Sequence, residues 1–207
     1  ATTVSTTPVA CPTAENVNTV IADLDKTLIA FPSVAAGKPL FDTEAGWSKA
    51  PDEGFTDPDQ QAAFLARYLL LQESSNISRV YWFAWDSQTL ASLYDDATGQ
   101  ASLAATAYGE VNSWTVGATM SQACSAMNST STVWTCGFTR SGGYKAIAVW
   151  DAGQNCTSAS CPASTTFSVP SGYIEYRDLL GNVTSLGTGT SVQIGGQPIL
   201  LESAPLP

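Results

Sequence analysis

From Thr13 onward, apolar residues recur every three or four positions. Val17, Val20, Ile21, Leu24 and Leu28 fall on one stripe, which predicts an amphipathic helix. Thr13 and Asn16 suit its start, and Pro32 stops it soon after Phe31, because proline disfavours helical geometry in the residue before it. The helical period then lapses. KPLFDTEAG reads as a short buried strand over Pro39–Thr43, followed by a Pro-, Asp- and Gly-rich loop over Trp47–Phe55. TDPDQQAAFLARYLLLQES restores the helical spacing through Ala62, Leu65, Ala66, Leu69 and Leu70. Thr56 or Asp57 is its cap, and Pro58 sits in the first turn, where its missing N–H costs nothing. SRVYWFAWD is nearly continuous in apolar residues, the pattern of a strand covered on both faces, and predicts a strand over Val80–Trp85. ASLAATAYGEVNSWTVGA predicts a third helix from Ser102 to about Trp114.

Residues 13–117 therefore follow the order helix, strand, helix, strand, helix, as in a parallel α/β sheet or barrel. After Gly117 the pattern changes. STVWTCGFTR and SGGYKAIAVWDAG predict a hairpin about Ser141-Gly142-Gly143. STTFSVP, GYIEYRDLLGN, TSVQI and QPILLES are short strands divided by Gly, Asn and Pro, which predicts an antiparallel β-sandwich over 118–207. Residues 1–12 are Thr-rich and read as an N-terminal arm with a processed start. Two parallel strands leave bare sheet edges and half a core. The sandwich covers them, or further strands lie in another chain, or they have been lost.

Composition narrows the partners. The 207 residues carry a net charge of -10 with only eight scattered Lys and Arg, so nucleic acid and anionic membrane surfaces are disfavoured. No apolar run approaches the roughly 20 residues that span a bilayer. The chain has no His, which excludes His-based triads and His-rich zinc sites. Of five cysteines, Cys124 with Cys136 and Cys156 with Cys161 form two close pairs without zinc-ribbon spacing, and read as disulfides. Cys11 has no evident mate. With sequons at Asn76, Asn128, Asn155 and Asn182, these features point to a secreted, extracellular or periplasmic, protein.

The order of segments also carries a resemblance. FDTEAGW on a strand, then a helix, RVYWFAWDS, GQASLAATAYGEVNSWTVGA and an all-β part ending GGQPILLES is similar to the C-terminal end of clan A retaining glycoside hydrolases. In those enzymes a (β/α)8 barrel carries a catalytic Glu at the end of its seventh strand, often has a Trp at the end of the eighth, and is followed in several families by a β-sandwich. The resemblance implies an α/β plus all-β fold. Its first part, 13–117, would hold the seventh and eighth strand–helix units of a barrel. It places Glu44 as nucleophile, Trp47, Trp82 and Trp85 as sugar-stacking faces, and Asp86 as a strand-end group for a sugar hydroxyl. It implies β-linked oligo- or polysaccharide substrates and no cofactor. The family's acid/base Glu, on the fourth strand and usually after Asn, has no counterpart here. Glu15, beside Asn16, lies in a helix start and in the wrong order. The acid/base is therefore expected outside this chain, on a second polypeptide or a second copy completing the barrel. Alternatively, Asp86 pairs with Glu44 across adjacent strands, since neighbours lie about 4.8 Å apart and a retaining pair needs roughly 5–5.5 Å.

Other readings stand beside this one. Glu44 is otherwise a loop carboxylate, Trp82 and Trp85 buried strand aromatics, and Asp86 a helix cap. Asp52, Glu53, Asp57 and Asp59 lack the spacing of a calcium loop and read as a solvated patch at a helix N-terminus. Trp134 and Trp150 are expected in the sandwich core; alternatively, Trp150 with Tyr173 and Tyr176 forms an exposed sugar platform. The competing function is a non-catalytic carbohydrate-binding or structural module, a truncated barrel remnant that self-associates.

Overall fold

The structure is a computed structural model and describes residues 13–35, 37–47, 57–86, 93–95, 97–154, 164–189 and 191–207. A short 3-10 turn, Ala14–Asn16, leads into α1, Val17–Ala30, and the single turn α2, Pro32–Ala35. Strand β1, Leu40–Ala45, follows. Helix α3, Pro58–Ser74, then connects it to β2, Ile77–Trp82, which lies parallel to β1. The Asp57 carboxylate accepts from the N–H groups of Asp59 and Gln60, and Pro58 opens the helix, so the expected cap is present. A small ladder of β3, Tyr94–Asp95, and β4, Gln100–Ala101, precedes α4, Leu103–Thr115, which starts at Ser102.

The remainder is antiparallel. It contains β5, Thr119–Ala126; β6, Val133–Thr139; β7, Lys145–Asp151; β8, Thr165–Ser168; β9, Glu175–Arg177; β10, Val183–Ser185; β11, Ser191–Ile194; and β12, Ile199–Glu202. Six of these form one sheet in the order β10-β9-β12-β7-β6-β5, while β11 and β8 pair separately. The expected hairpin about Ser141–Gly143 joins β6 to β7.

Alternation along β7 explains the layering. Ala146, Ala148 and Trp150 belong to a core shared with Ala66, Leu70 and Leu71 of α3 and Ala107, Val111 and Trp114 of α4. Val149, flanked by Ile147, faces the other way, onto Phe167, Val192 and Ile194 of the small sheet. β7 is therefore continuously apolar because it is covered on both faces. Trp150 is fully buried and stacks on Trp134 at 6.1 Å, so the exposed platform with Tyr173 and Tyr176 does not form. The helices and the large sheet share one core across position 117, so neither side is packed without the other.

Polar contacts fasten the layers at defined points. Glu15 accepts from Trp150 Nε1 at 2.7 Å and lies 3.4 Å from the Arg67 guanidinium, both charges being almost wholly buried. Arg140 donates to the carbonyls of Ser113 and Trp114, satisfying the C-terminal end of α4 from the sheet side. Cys124 and Cys136 form a disulfide between β5 and β6. Cys11, Cys156 and Cys161 lie outside the described residues.

Two expectations need correction. The strand expected over Val80–Trp85 with both faces covered runs Ile77–Trp82 instead and is covered on one face, Arg79 and Tyr81 being exposed on the other. The stripe on α1 is only partly covered: Ile21 is buried and Val17 and Leu28 partly so, whereas Val20 and Leu24 are exposed. Its periodicity marks a helix correctly, and Val17 packs against the core beside α3, while Val20 and Leu24 are left uncovered among the described residues.

Candidate functional site

β1 and β2 finish side by side, and two contacts fix their ends. The Phe83 N–H donates to the Ala45 carbonyl at 2.7 Å. A Cβ on Gly46 would stand 2.2 Å from the Phe83 carbonyl oxygen, a distance only glycine permits. The Gly in T-E-A-G-W is thus a close-approach residue: it lets the chain after β2 press against the end of β1.

Glu44 lies one residue before Ala45 at this junction. It is exposed, and makes no hydrogen bond or ion pair among the described residues. Asp86 lies beyond the end of β2 and is also exposed. Ala45 and Trp47, which follow Glu44 along the chain, are buried. The junction therefore presents an exposed carboxylate next in sequence to a buried apolar floor.

The three tryptophans divide. Trp47, expected in a loop facing solvent or sugar, is buried, its ring edge-on to Trp82 at 4.7 Å and to Phe64 at 6.2 Å. Trp82 is half-buried and turned towards α3, against Tyr68. Period-two alternation sends it and Val80 to the helix side. Arg79 and Tyr81 go to the open side. Trp85 is 56% exposed and stacks on Tyr94 at 6.0 Å, with 19° between planes. Of the three, Trp85 is the exposed ring; Trp47 and Trp82 pack together inside.

Two groupings were not legible in the sequence. On the helix side, Tyr68 and Gln72, one turn apart on α3, both donate to Asp42 Oδ2. Burial first, then the Asp42 carboxylate, pushes the Tyr68 phenol well above its ordinary range, so it serves as a donor. Asp42 is thereby committed to holding β1 on α3. On the open side, the Arg79 guanidinium lies 5.5 Å from the Phe41 ring centroid and donates to Tyr81 Oη at 3.3 Å. Phe41, Tyr81 and Phe83 are each nearly half exposed there. The signal for both was the alternation within LFDTEA and RVYW, once the covered side was known.

Asp59, one of the acidic patch, accepts from Gln197 Nε2, and Asp57 caps α3; Asp52 and Glu53 lie outside the described residues. No group of acidic, Cys or His side chains that could hold a metal occurs among the described residues.

A family 39 glycoside hydrolase from the gut symbiont Bacteroides cellulosilyticus WH2 matches 79% of this chain at a TM-score of 0.57 and 19% sequence identity. The chain shares its fold with part of a glycoside hydrolase. It spans 33% of that enzyme's length. The family 30 subfamily 8 xylanase Xyn30A from Clostridium acetobutylicum aligns more loosely, at a TM-score of 0.44 and 15% identity, over 81% of this chain and 43% of the xylanase. No protein-family model matches the sequence, and no curated protein does. The family 39 structure is a glycoside hydrolase, the enzyme class that the order of segments in the sequence resembles.

Proposed function

We propose that this chain is the C-terminal portion of a secreted, retaining clan A glycoside hydrolase acting on β-linked glycans. Residues 13–117 are the end of its barrel and 118–207 its β-sandwich. Glu44 is the nucleophile, Trp85 stacks on the sugar, and the acid/base lies outside this chain. The observation that carries this reading is the junction of β1 and β2, where an exposed Glu44 makes no polar contact among the described residues at the shared C-terminal strand end. Catalytic groups of parallel α/β folds gather at such ends. In the retaining reaction Glu44 would attack the anomeric carbon and displace the leaving oxygen, which the acid protonates. Water then releases the sugar from the ester with the same group acting as base. The open face carrying Phe41, Tyr81 and Phe83, and the exposed Val20 and Leu24 of α1, support further barrel elements covering them.

A substrate that bypasses the acid tests the nucleophile alone. A 2,4-dinitrophenyl glycoside needs no protonation of its leaving group, and fluorine at the sugar 2-position slows release, so a glycosyl–enzyme accumulates. Incubation and peptide mass spectrometry should find one sugar on Glu44 in the parent and none in Glu44→Gln. A label on Asp86, or no label at all, overturns the assignment. Light scattering with intact-mass analysis then distinguishes a chain completed by a different polypeptide from one completed by its own copy. The outer edges of β1 and β2, unpaired among the described residues, favour the second reading, a self-associating remnant without its own chemistry, if only copies of this chain are found.

A further inference from the structure

A groove of about 720 Å³ lies at one end of the antiparallel part, with Glu44 not among its lining residues. Its floor is fixed by backbone bonds. Lys145 N–H donates to Ser203 Oγ at 2.8 Å, and Ser203 N–H returns to the Lys145 carbonyl at 2.9 Å, tying β7 to the end of β12. Ile174 N–H donates to the Glu202 carbonyl at 2.8 Å, which brings Tyr173 beside them. The walls are turns whose glycines, Gly142, Gly143 and Gly172, hold positive φ with open space where a side chain would stand. Backbone groups and the hydroxyls of Ser141, Ser171 and Ser203 are therefore accessible along the groove.

Its charge runs against that of the protein. The chain carries -10 overall, yet no Asp or Glu lines the groove, and Lys145 is its sole charged side chain. The Lys145 ammonium is exposed and makes no ion pair among the described residues. Glu202, below, is fully buried and engaged by Tyr144 and Arg177. Tyr173 lines the groove, is half-buried, and has no hydrogen bond to its hydroxyl among the described residues.

We propose that this groove is a second saccharide site, taking an anionic sugar whose carboxylate pairs with Lys145 and whose pyranose ring lies on Tyr173. The choice of a saccharide rests on the glycoside hydrolase reading; the demand for an anion rests on the groove. An ammonium without an internal partner gains a charge-assisted bond from a carboxylate. A flat phenol ring covers the apolar face of a pyranose, and hydroxyls and bare backbone groups match its hydroxyls.

The test is calorimetric titration with trigalacturonate and, separately, with neutral xylotriose. Trigalacturonate should bind saturably and more tightly than xylotriose, and 0.5 M salt, roughly a 4 Å screening length, should narrow the gap. Lys145→Met should weaken trigalacturonate about tenfold and leave xylotriose unchanged, with Lys145→Arg retaining most of the affinity. Tyr173→Ala should weaken both sugars. Lys145 is exposed, so its variants test the charge even if Tyr173→Ala fails to fold. No saturable binding at millimolar sugar, or unchanged affinity in Lys145→Met, overturns the proposal. Glu44→Gln should bind trigalacturonate as the parent does. Loss of binding there would place the sugar at the strand ends and overturn the groove, whereas absence of hydrolysis alone bears only on Glu44.

Discussion

Gly46→Ala is the perturbation that most directly probes how the strand ends are built. The new methyl would begin 2.2 Å from the Phe83 carbonyl oxygen and must withdraw to at least 3.0 Å. Both atoms belong to backbone-anchored groups, so the chain ends themselves have to part. The bond from Phe83 N–H to the Ala45 carbonyl, now 2.7 Å, joins the same two segments and is stretched by the movement. Overpacking of this kind costs about 1–3 kcal/mol, and a lost hydrogen bond adds about 1 kcal/mol. The expected loss is therefore about 2–4 kcal/mol in urea unfolding, accompanied by slower labelling of Glu44, because the displaced segment carries it. Gly109→Ala is the matched control. Gly109 lies within α4 and a Cβ there meets nothing within 4 Å, so the same substitution should stabilise by roughly 0.5–1 kcal/mol. A Gly46→Ala protein as stable as the parent, with Glu44 labelled at the parent rate, would refute the argument that this contact sets the strand-end geometry.

Further outcomes follow from the same packing. Glu15→Ala strands the buried Arg67 guanidinium and removes the acceptor of Trp150, and should cost about 3–5 kcal/mol; adding Arg67→Met should restore part of that loss, which a double-mutant cycle in urea measures. Replacing Cys124 and Cys136 together by Ser opens a loop with a sequence separation of 12 and should lower stability by about 2–4 kcal/mol under oxidising conditions, with no difference from the parent once the parent is reduced. Burial, only partly offset by Tyr144 and Arg177, raises the Glu202 carboxyl above the ordinary carboxylate range. The folded state then holds this proton over a pH window where the unfolded chain has lost it. The Glu202 contribution is most favourable below the unfolded value and declines as pH rises through the folded one. The parent should accordingly lose stability relative to Glu202→Gln over that window in urea titrations, and a difference that grows in the opposite direction would contradict the assignment.

The sequence by itself determined the kinds of most elements and the order in which those follow one another. Spacing placed the apolar face of α3 on Ala62, Leu65, Ala66, Leu69 and Leu70, of which Leu69 is half-buried and the others are buried. Asp57 and Pro58 announced its start, because capping is local chemistry that needs no neighbour. The Cys124–Cys136 pairing was legible from proximity along the chain. β5 and the β3–β4 ladder were missed, since MSQACSA and the short Tyr94 and Gln100 segments have too few β-branched or alternating residues to stand out.

Tertiary structure alone decided which face of each element is covered. An apolar run such as RVYWFAW reads the same whether helices lie over one side or both. Trp82 and Trp47 went to the floor, and Trp85 to the surface, only once α3 was seen to lie against Val80 and Trp82. Trp150 was likewise ambiguous between core and platform until the helices closed over the even positions of β7. The role of Gly46 depended on a carbonyl 37 positions along the chain, at Phe83, which no local spacing encodes. Periodicity is a property of one segment, whereas burial is a property of two, and the second partner is supplied by the fold.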